Sequence, residues 1–139
     1  TLAYDSNHRA KLWQSAAVAR EVNMAMWARA DIALPSIDDE MDLFGDADET
    51  ALLDRLAAAG AEHGALKRGA AGPRNLRDRS VLPDPTKVDR VIDSTAAGDS
   101  FNAGYLAATV RGEPEIEAMR AGHDLAARVV QAPGAIIEA

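Results

Sequence analysis

A turn rich in small residues lies near the end of the chain, in the string Asp93-Ser-Thr-Ala-Ala-Gly-Asp-Ser-Phe. An apolar stretch precedes the turn and a helical pattern follows it. The small side chains of Ala96, Ala97 and Gly98 let backbone N–H groups converge on an anion at the start of the helix, where unpaired donors and the helix dipole favour negative charge. Phosphate is the anion that such a cradle suits.

Asp99 falls in the first turn of the same predicted helix. A carboxylate there stays ionised beside the positive end of the helix and can accept a proton from an attacking hydroxyl. Phosphoryl transfer needs this pairing of base and anion cradle, because it gains most from positioning the nucleophile and neutralising the transferred charge. The spacing alone also fits an ordinary helix start, in which Asp99 serves the helix dipole and the alanines allow close packing.

The segments that must position this turn alternate between strand and helix patterns. Short apolar stretches predict strands at residues 2–4, 31–35, 63–67 and 88–93. Apolar spacing predicts helices from about residue 15, around residues 41–44, and at about 49–59, 97–111 and 114–131. This order predicts an α/β fold with a parallel sheet wrapped by helices, whose ligands lie beyond the carboxyl ends of the strands.

The boundaries of these elements also have sequence signals. Ser15 is a predicted N-cap, Gly45 and Gly60 are expected to end two helices, and Pro114 suits a first-turn position. An acidic turn is expected at residues 36–40, and residues 73–87 predict a loop or an incomplete hairpin. The predicted buried face of the 49–59 helix consists of Leu52, Leu53 and Leu56.

The string that begins at Asp93 closely resembles the C-terminal signature of the phosphofructokinase-B, or ribokinase-like, family of carbohydrate kinases, which is Asp-Thr-Thr-Gly-Ala-Gly-Asp followed by a helix with an aromatic residue. The positions that match in register are Asp93, Thr95, Ala97, Gly98, Asp99 and Phe101. Ser94 and Ala96 depart from the commonest form. The segments at residues 5–13, 66–72, 95–107 and 134–137 resemble one branch of the family, the 2-keto-3-deoxygluconate kinases.

This resemblance implies a ribokinase-like three-layer α/β/α fold with a mostly parallel sheet. Residues 1–139 would be the C-terminal nucleotide-binding and catalytic part of such a kinase, without the N-terminal half and the lid that build most of its sugar site. Residues 73–82 look short by a hairpin relative to the family. The uncovered sheet edge expected of such a piece favours association, including a homo-oligomer.

The resemblance also assigns roles near the start of the chain. Asp99 would be the catalytic base that meets the substrate hydroxyl, with Ala96, Ala97 and Gly98 as the anion hole. Arg9 would reach the acid end of the sugar or a nucleotide phosphate, since a guanidinium suits both. The alternative for Arg9 is a surface ion pair with the nearby Asp5. Asn7 would contact the nucleotide phosphates, although an asparagine after a strand is equally a turn former. His8 is expected at the rim of the site or in the core.

Further candidate residues come from three other segments. Lys67, Gly69 and Gly72 form a basic, glycine-containing turn suited to nucleotide phosphates, with a plain solvated turn as the alternative. Asp39 would bind Mg²⁺ through a water molecule, unless it is simply part of an acidic helix start. His123 falls where the family lines the adenine pocket, and its alternative is a surface or packing role.

Composition excludes several other classes of function. The chain of 139 residues has a formal charge of −7, which would repel nucleic acid and anionic membranes. It has no cysteine and three scattered histidines, so a thiolate or zinc centre is not expected. The lack of cysteine favours a cytoplasmic protein. We also expect no membrane span and no signal peptide.

The resemblance to the family implies ATP-dependent phosphorylation of 2-keto-3-deoxygluconate to its 6-phosphate, with Mg²⁺ bridging the nucleotide phosphates. Another sugar or nucleoside kinase of the family, a non-catalytic nucleotide-binding module and an interaction domain are the alternatives. Residues 1–139 alone are expected to be inactive.

Overall fold

The computed structural model describes residues 1–134, which fall into two compact units. The first unit contains Thr1–Arg68 and Asn75–Ser80. The second contains Gly69–Arg74 and the residues from Val81 onwards. The family-like segment at residues 134–137 lies outside the described residues except for Gly134.

The described residues form short strands and longer helices in alternation. In chain order these elements are β1 (Ala3–Tyr4), α1 (Ala16–Trp27), β2 (Ile32–Ala33), α2 (Ile37–Phe44), α3 (Glu49–Ala58), β3 (Ala65–Leu66), β4 (Arg74–Asn75), α4 (Ala97–Val110) and α5 (Glu115–Val129). Single turns of 3-10 helix lie at Ala10–Leu12 and Gly69–Ala71. The strands are shorter than the apolar stretches that predicted them.

A parallel sheet organises the first unit. β1 pairs with β2 in parallel, with Ala3 opposite Ile32. Parallel bridges from Ala33 to Gly64 and from Ser36 to Lys67 continue the sheet to the β3 segment. Because the strands are parallel, the loops that follow them lie at one edge of this sheet.

Gly64 allows the close approach of two of these strands. A Cβ atom at this position would lie 1.9 Å from the carbonyl oxygen of Ala33, and the φ angle of +122° is one that other residues rarely adopt. No side chain fits there.

The core of the first unit lies between the sheet and the helices. α3 buries Leu52, Leu53 and Leu56, the face that the sequence predicted. Trp27 at the end of α1 is fully buried, and its ring meets the edge of the Tyr4 ring with centroids 4.6 Å apart. Burial of these side chains supplies the main driving force for folding the unit.

The predicted helix boundaries in this unit are mostly confirmed. The Ser15 side chain accepts a hydrogen bond from the Val18 N–H at 3.2 Å, as an N-cap should. Gly45 and Gly60 follow helices with φ angles of 69° and 90°. The expected acidic turn at residues 36–40 is wrong, because residues 37–40 form the first turn of α2. The alternative, an acidic helix start, is confirmed, and carboxylates there suit the helix dipole.

The second unit is built around the packed pair α4 and α5. A Cβ atom at Gly104 would lie 2.5 Å from the Ala121 carbonyl oxygen, and one at Gly122 would lie 2.8 Å from the Phe101 carbonyl oxygen. Two glycines therefore let the backbones of the helices come into contact. Pro114 is the N-cap of α5, with an extended ψ angle of 149°, so its predicted place inside the first turn is off by one residue.

The strand predicted at residues 88–93 is wrong. The described residues of this segment form no strand, and Val91 and Ile92 are exposed. The N–H groups of Ile92 and Asp93 both donate to the Val130 carbonyl, at 2.7 and 3.2 Å, instead of to a neighbouring strand. An apolar stretch becomes a strand only where a partner is available for its backbone groups.

The loop or incomplete hairpin predicted at residues 73–87 contains a short hairpin. The Asn75 N–H donates to the Ser80 carbonyl at 2.9 Å, and Arg74 and Val81 form an antiparallel bridge. None of the helices within residues 1–134 has the length and apolar character needed to cross a membrane.

Candidate active site

Residues 5–9, which we call the β1 loop, leave the carboxyl end of the parallel sheet in the first unit. The Asn7 N–H donates to Asp5 Oδ1 at 3.1 Å, and the Asn7 backbone has a left-handed φ of 39°. The His8 N–H donates to Asp39 Oδ2 at 3.1 Å. Hydrogen bonds to two carboxylates thus hold an unusual backbone conformation in this loop.

The β1 loop exposes the side chains of Asn7 and Arg9. The Arg9 guanidinium donates one hydrogen bond from Nη1 to the His8 carbonyl at 2.9 Å, which leaves further donors directed at solvent or ligand. His8 is buried, as expected for a rim or core residue. Asn7 and Arg9 can therefore contact an anion without first breaking an ion pair of their own.

Lys67, which directly follows β3, forms an ion pair between its ammonium group and the carboxylate of Asp5. The backbone N–H of Lys67 donates to the Pro35 carbonyl at 2.8 Å, and the Lys67 carbonyl accepts from the Ile37 N–H at 3.0 Å. The predicted phosphate-binding lysine is thus tied to the same β1 loop. A phosphate contact would require the Lys67 ammonium to be shared between the phosphate and Asp5.

Asp39, the predicted magnesium residue, lies in the first turn of α2. One of its carboxylate oxygens binds the His8 N–H, so the other remains for a metal-bound water. Within residues 1–134 there is no group of three or more acidic, histidine or cysteine side chains that could hold a metal ion. A magnesium ion here would rely mainly on nucleotide phosphates, which is common for this ion.

Glu40 follows Asp39 in the first turn of α2, and the sequence analysis gave it no role in the site. Its carboxylate is fully buried and accepts hydrogen bonds from Ser6 Oγ and from Arg55 Nη2, both at 3.1 Å. Burial raises the pKa of Glu40, although the charge and hydrogen bond of Arg55 and the hydroxyl of Ser6 act in the opposite direction. A sequence signal existed, because Glu40 precedes Leu43 and Phe44 by three and four residues and so shares their helix face.

In the second unit, the predicted anion cradle lies at the start of α4. Ala96 is the N-cap, and no side chain caps the helix. The Ala97 N–H donates to the Ser94 carbonyl at 3.2 Å, while the Ser100 N–H donates to the Ala96 carbonyl at 2.9 Å. Of the donors in the first turn, those of Gly98 and Asp99 therefore face outward from the helix end without a backbone acceptor among the described residues.

Asp99 is exposed in this first turn. It shares this turn with the outward-facing N–H groups of Gly98 and Asp99, and its role as a base next to an anion cradle stays a prediction. An exposed base can meet a substrate hydroxyl, and the neighbouring helix end can bind the anionic group that the hydroxyl attacks.

Asp93 shapes the turn that precedes α4. Its Oδ1 accepts hydrogen bonds from the Thr95 N–H at 2.9 Å and the Thr95 hydroxyl at 2.5 Å, and its Oδ2 accepts from the Gly134 N–H at 3.2 Å. The hydrogen bonds from the Thr95 hydroxyl, the Thr95 N–H and the Gly134 N–H lower the pKa of Asp93. The sequence analysis matched this residue to the family signature without giving it a role.

Gly69 and Gly72 bracket the 3-10 turn at the start of the second unit. Both have positive φ angles, of 55° and 74°. A Cβ atom at Gly72 would lie 2.9 Å from Cβ of Pro85, whereas nothing lies within 4 Å of the corresponding position at Gly69. Their conformation accounts for glycine at both positions, with or without a nucleotide.

His123 holds a loop against α5. Its Nε2 lies 3.0 Å from the Thr86 carbonyl, which requires the proton on that nitrogen. Thr86 Oγ1 also donates to Asp124 at 2.6 Å, and Arg120 donates to the Pro83 carbonyl at 3.2 Å. His123 is buried, so it acts in the structure as a packing and anchoring residue.

Comparison with known proteins gives consistent matches over the whole chain. The family model described as pfkB family carbohydrate kinase matches residues 1–139. The 2-dehydro-3-deoxygluconokinase of Dickeya dadantii (strain 3937) is 38% identical over 138 residues, which cover 96% of this chain and 44% of the relative. The enzyme of the same name from Escherichia coli (strain K12) is 38% identical over 141 residues, which cover 96% of this chain and 45% of that relative.

A solved structure agrees with these sequence matches. The aminoimidazole riboside kinase of Salmonella enterica, complexed with aminoimidazole riboside and an ATP analogue, has a TM-score of 0.85 and 27% identity, with 96% of this chain and 46% of that chain covered. The predicted ribokinase-like α/β fold with a parallel sheet is thereby confirmed. The chain spans less than half the length of the curated relatives it matches.

Proposed function

The chain belongs to the pfkB family of carbohydrate kinases, and we propose that the protein containing it transfers a phosphoryl group from ATP to the terminal hydroxyl of 2-keto-3-deoxygluconate. The product is the 6-phosphate. The proposal includes a cytoplasmic location. The substrate is supported by relatives named for 2-dehydro-3-deoxygluconate, which is another name for the same sugar acid.

The single observation that supports a kinase reaction most strongly is the start of α4. Asp99 is exposed there, beside outward-facing N–H groups that include that of Gly98. In the proposed reaction, the Asp99 carboxylate removes the proton from the attacking hydroxyl. The amides around Ala97 to Asp99 bind the transferred phosphoryl group, which carries negative charge throughout.

The β1 loop supplies the second set of proposed contacts. Arg9 binds the carboxylate of the sugar acid or a nucleotide phosphate, and Asn7 binds the nucleotide phosphates through its amide. Both side chains are exposed. Lys67 shares its ammonium group between Asp5 and the phosphates. Asp39 orients a water on the magnesium ion, whose charge offsets that of the phosphates.

The glycine turn and α5 support the nucleotide in this proposal. Backbone groups at Gly69 and Gly72 approach the phosphates, and His123 borders the adenine by holding the Thr86 segment in place.

An acceptor of another class remains as a second candidate. The structural likeness to aminoimidazole riboside kinase favours a riboside as the acceptor. In that case the substrate has no carboxylate for Arg9 to bind, and Arg9 contacts only the nucleotide phosphates.

A substrate panel tests the choice of acceptor. ADP release by the full natural protein that contains this sequence is measured with ATP and Mg²⁺ against 2-keto-3-deoxygluconate, fructose, ribose and aminoimidazole riboside. We expect turnover confined to the sugar acid. Preference for the riboside would transfer the proposal to the second candidate, and nucleotide binding without turnover of any acceptor would indicate a non-catalytic module.

A further inference from the structure

The buried carboxylate of Glu40 links two parts of the first unit. Its Oε1 accepts a hydrogen bond from the hydroxyl of Ser6 at 3.1 Å, and its Oε2 accepts one from Arg55 at 3.1 Å. Ser6 belongs to the β1 loop, whereas Arg55 belongs to α3. Both oxygens of a fully buried carboxylate are thus used, as burial of a charge requires.

Arg55 is itself fixed by contacts that do not involve the β1 loop. Its guanidinium makes a forked contact with Asp46, with distances of 2.7, 3.1 and 3.2 Å. It also lies over the ring of Phe44, 3.7 Å from the centroid. A cation held in this way gives Glu40 a rigid anchor on the side away from the loop.

The β1 loop needs such an anchor because its backbone is not in a relaxed conformation. Asn7 has a positive φ, and the neighbouring His8 N–H is held by Asp39. Asp39 and Glu40 are consecutive in the first turn of α2, so one helix end fixes the loop both through its backbone and through the Ser6 side chain. Arg9, whose side chain is exposed, directly follows His8 in this fixed part of the loop.

We propose that Glu40 is a positioning residue, whose buried carboxylate fixes the β1 loop through Ser6 and so sets how that loop meets its anionic ligand. The inference rests on the proposed function, which gives the loop its contacts with the nucleotide phosphates and the sugar acid. Glu40 contacts neither ligand. Its effect passes through the loop.

Three substitutions in the full natural protein separate this role from a purely structural one. Ser6→Ala removes the link and leaves the ion pairs of Arg55 intact. Glu40→Leu removes both hydrogen bonds with a side chain of similar size. Glu40→Gln keeps an acceptor for Ser6, and it should fold because the charge of Arg55 is still compensated by its ion pair with Asp46.

We expect Ser6→Ala and Glu40→Leu to raise the KM for ATP or the sugar acid about fivefold with little change in kcat, as for the loss of one hydrogen bond that positions a binding loop. Hydrogen exchange at the amides of residues 6–9 should become faster by a similar factor of about five. Glu40→Gln should restore wild-type values. The double variant that combines Ser6→Ala with Glu40→Leu should have the same KM values and loop exchange as each single variant, because both substitutions remove one shared contact.

Asp48→Ala is the matched control, since it removes the N-cap hydrogen bond that α3 makes through the Ala51 N–H and leaves the contacts of Glu40 and Arg55 in place. It should lower the melting temperature without changing either KM or the exchange of the loop. The inference is overturned if Ser6→Ala leaves both KM values and the exchange of residues 6–9 unchanged, and Ser6→Ala decides alone should Glu40→Leu fail to fold. Faster loop exchange in a protein that phosphorylates no acceptor would instead uphold the positioning role and refute the proposed function.

Discussion

At the scale of single residues, Asp93 shows how a carboxylate can hold a turn through hydrogen bonds. It accepts hydrogen bonds from Thr95 and from the Gly134 N–H, and these bonds lower its pKa. A carboxyl group with a lowered pKa in the folded state adds stability above its unfolded pKa. That contribution disappears as the pH falls through the lower folded value.

The lowered pKa of Asp93 predicts how the stability of Asp93→Asn depends on pH. The variant should be less stable than wild type at neutral pH, and the difference should begin to shrink only as the pH falls below the ordinary aspartate pKa of about 3.9, toward the lower pKa of the folded state. Denaturant unfolding at several pH values measures it. Asp89→Asn, at an exposed aspartate of the same unit, is the control and should show a smaller and flatter difference. A difference that grows on acidification would contradict the role given to Asp93.

Gly69 and Gly72, the two glycines at the 3-10 turn of the second unit, form a second residue-scale test. Gly72→Ala must accept both a φ of +74° and a Cβ contact of 2.9 Å with Pro85, so we expect it to lose about 2 to 3 kcal/mol of unfolding free energy. Gly69→Ala has to accept only the positive φ angle of +55°, because nothing lies within 4 Å of the added Cβ atom, so it should lose about 1 kcal/mol of unfolding free energy. Equal losses at the two positions would mean that the contact with Pro85 does not constrain the turn.

At the scale of elements, the sequence predicted helices better than strands. Periodicity and caps are local signals, so the boundary at Ser15 and the buried face around Leu52 follow from the chain itself. The stretch at residues 88–93 has the composition of a strand, yet its N–H groups bond to the end of α5. Strand formation depends on a partner elsewhere in the chain, which composition does not reveal.

The local structure around the candidate site residues was predictable to a similar extent. The helix start after the small-residue turn has local signals, and α4 begins at Ala97 as expected. The roles given to Asp99 and to the turn stay predictions. Glu40 was missed because an acidic run normally marks a solvated helix face. Its burial depends on Arg55 and Ser6, which are 15 and 34 residues away along the chain.

The helix pair of the second unit gives a prediction at this scale. Gly104→Ala would place a methyl group 2.5 Å from a backbone oxygen of α5, which cannot move aside as a flexible side chain can. We expect a loss of about 3 kcal/mol of unfolding free energy, the upper end of the range for overpacked cores. Ala107→Ser, at an exposed position of α4, should change stability by less than about 0.5 kcal/mol. Thermal or denaturant unfolding distinguishes the two, and wild-type stability in Gly104→Ala would show that the helices are not in tight contact.

At the scale of the whole molecule, length and charge limit what the chain can do by itself. It spans less than half of its curated relatives, and its formal charge of −7 suits a small-molecule partner better than a polyanion. By resemblance to the family, most of the sugar site would lie in the half that these residues do not match.

We therefore expect residues 1–139, expressed alone, to release no ADP with 2-keto-3-deoxygluconate, under conditions in which the full natural protein does. The same ADP-release assay measures both. Sugar-dependent turnover by residues 1–139 would show that these residues suffice for acceptor binding.

The most direct test of the central claim is the rate of sugar-dependent ADP release by the full natural protein and its Asp99→Asn variant. The amide keeps the size of the side chain and cannot act as a base, so kcat should fall by about 10² to 10⁴-fold while nucleotide binding persists. Ser94→Ala, at a neighbouring position outside the proposed contacts, should retain activity. Undiminished kcat in Asp99→Asn would contradict the assignment of Asp99 as the catalytic base.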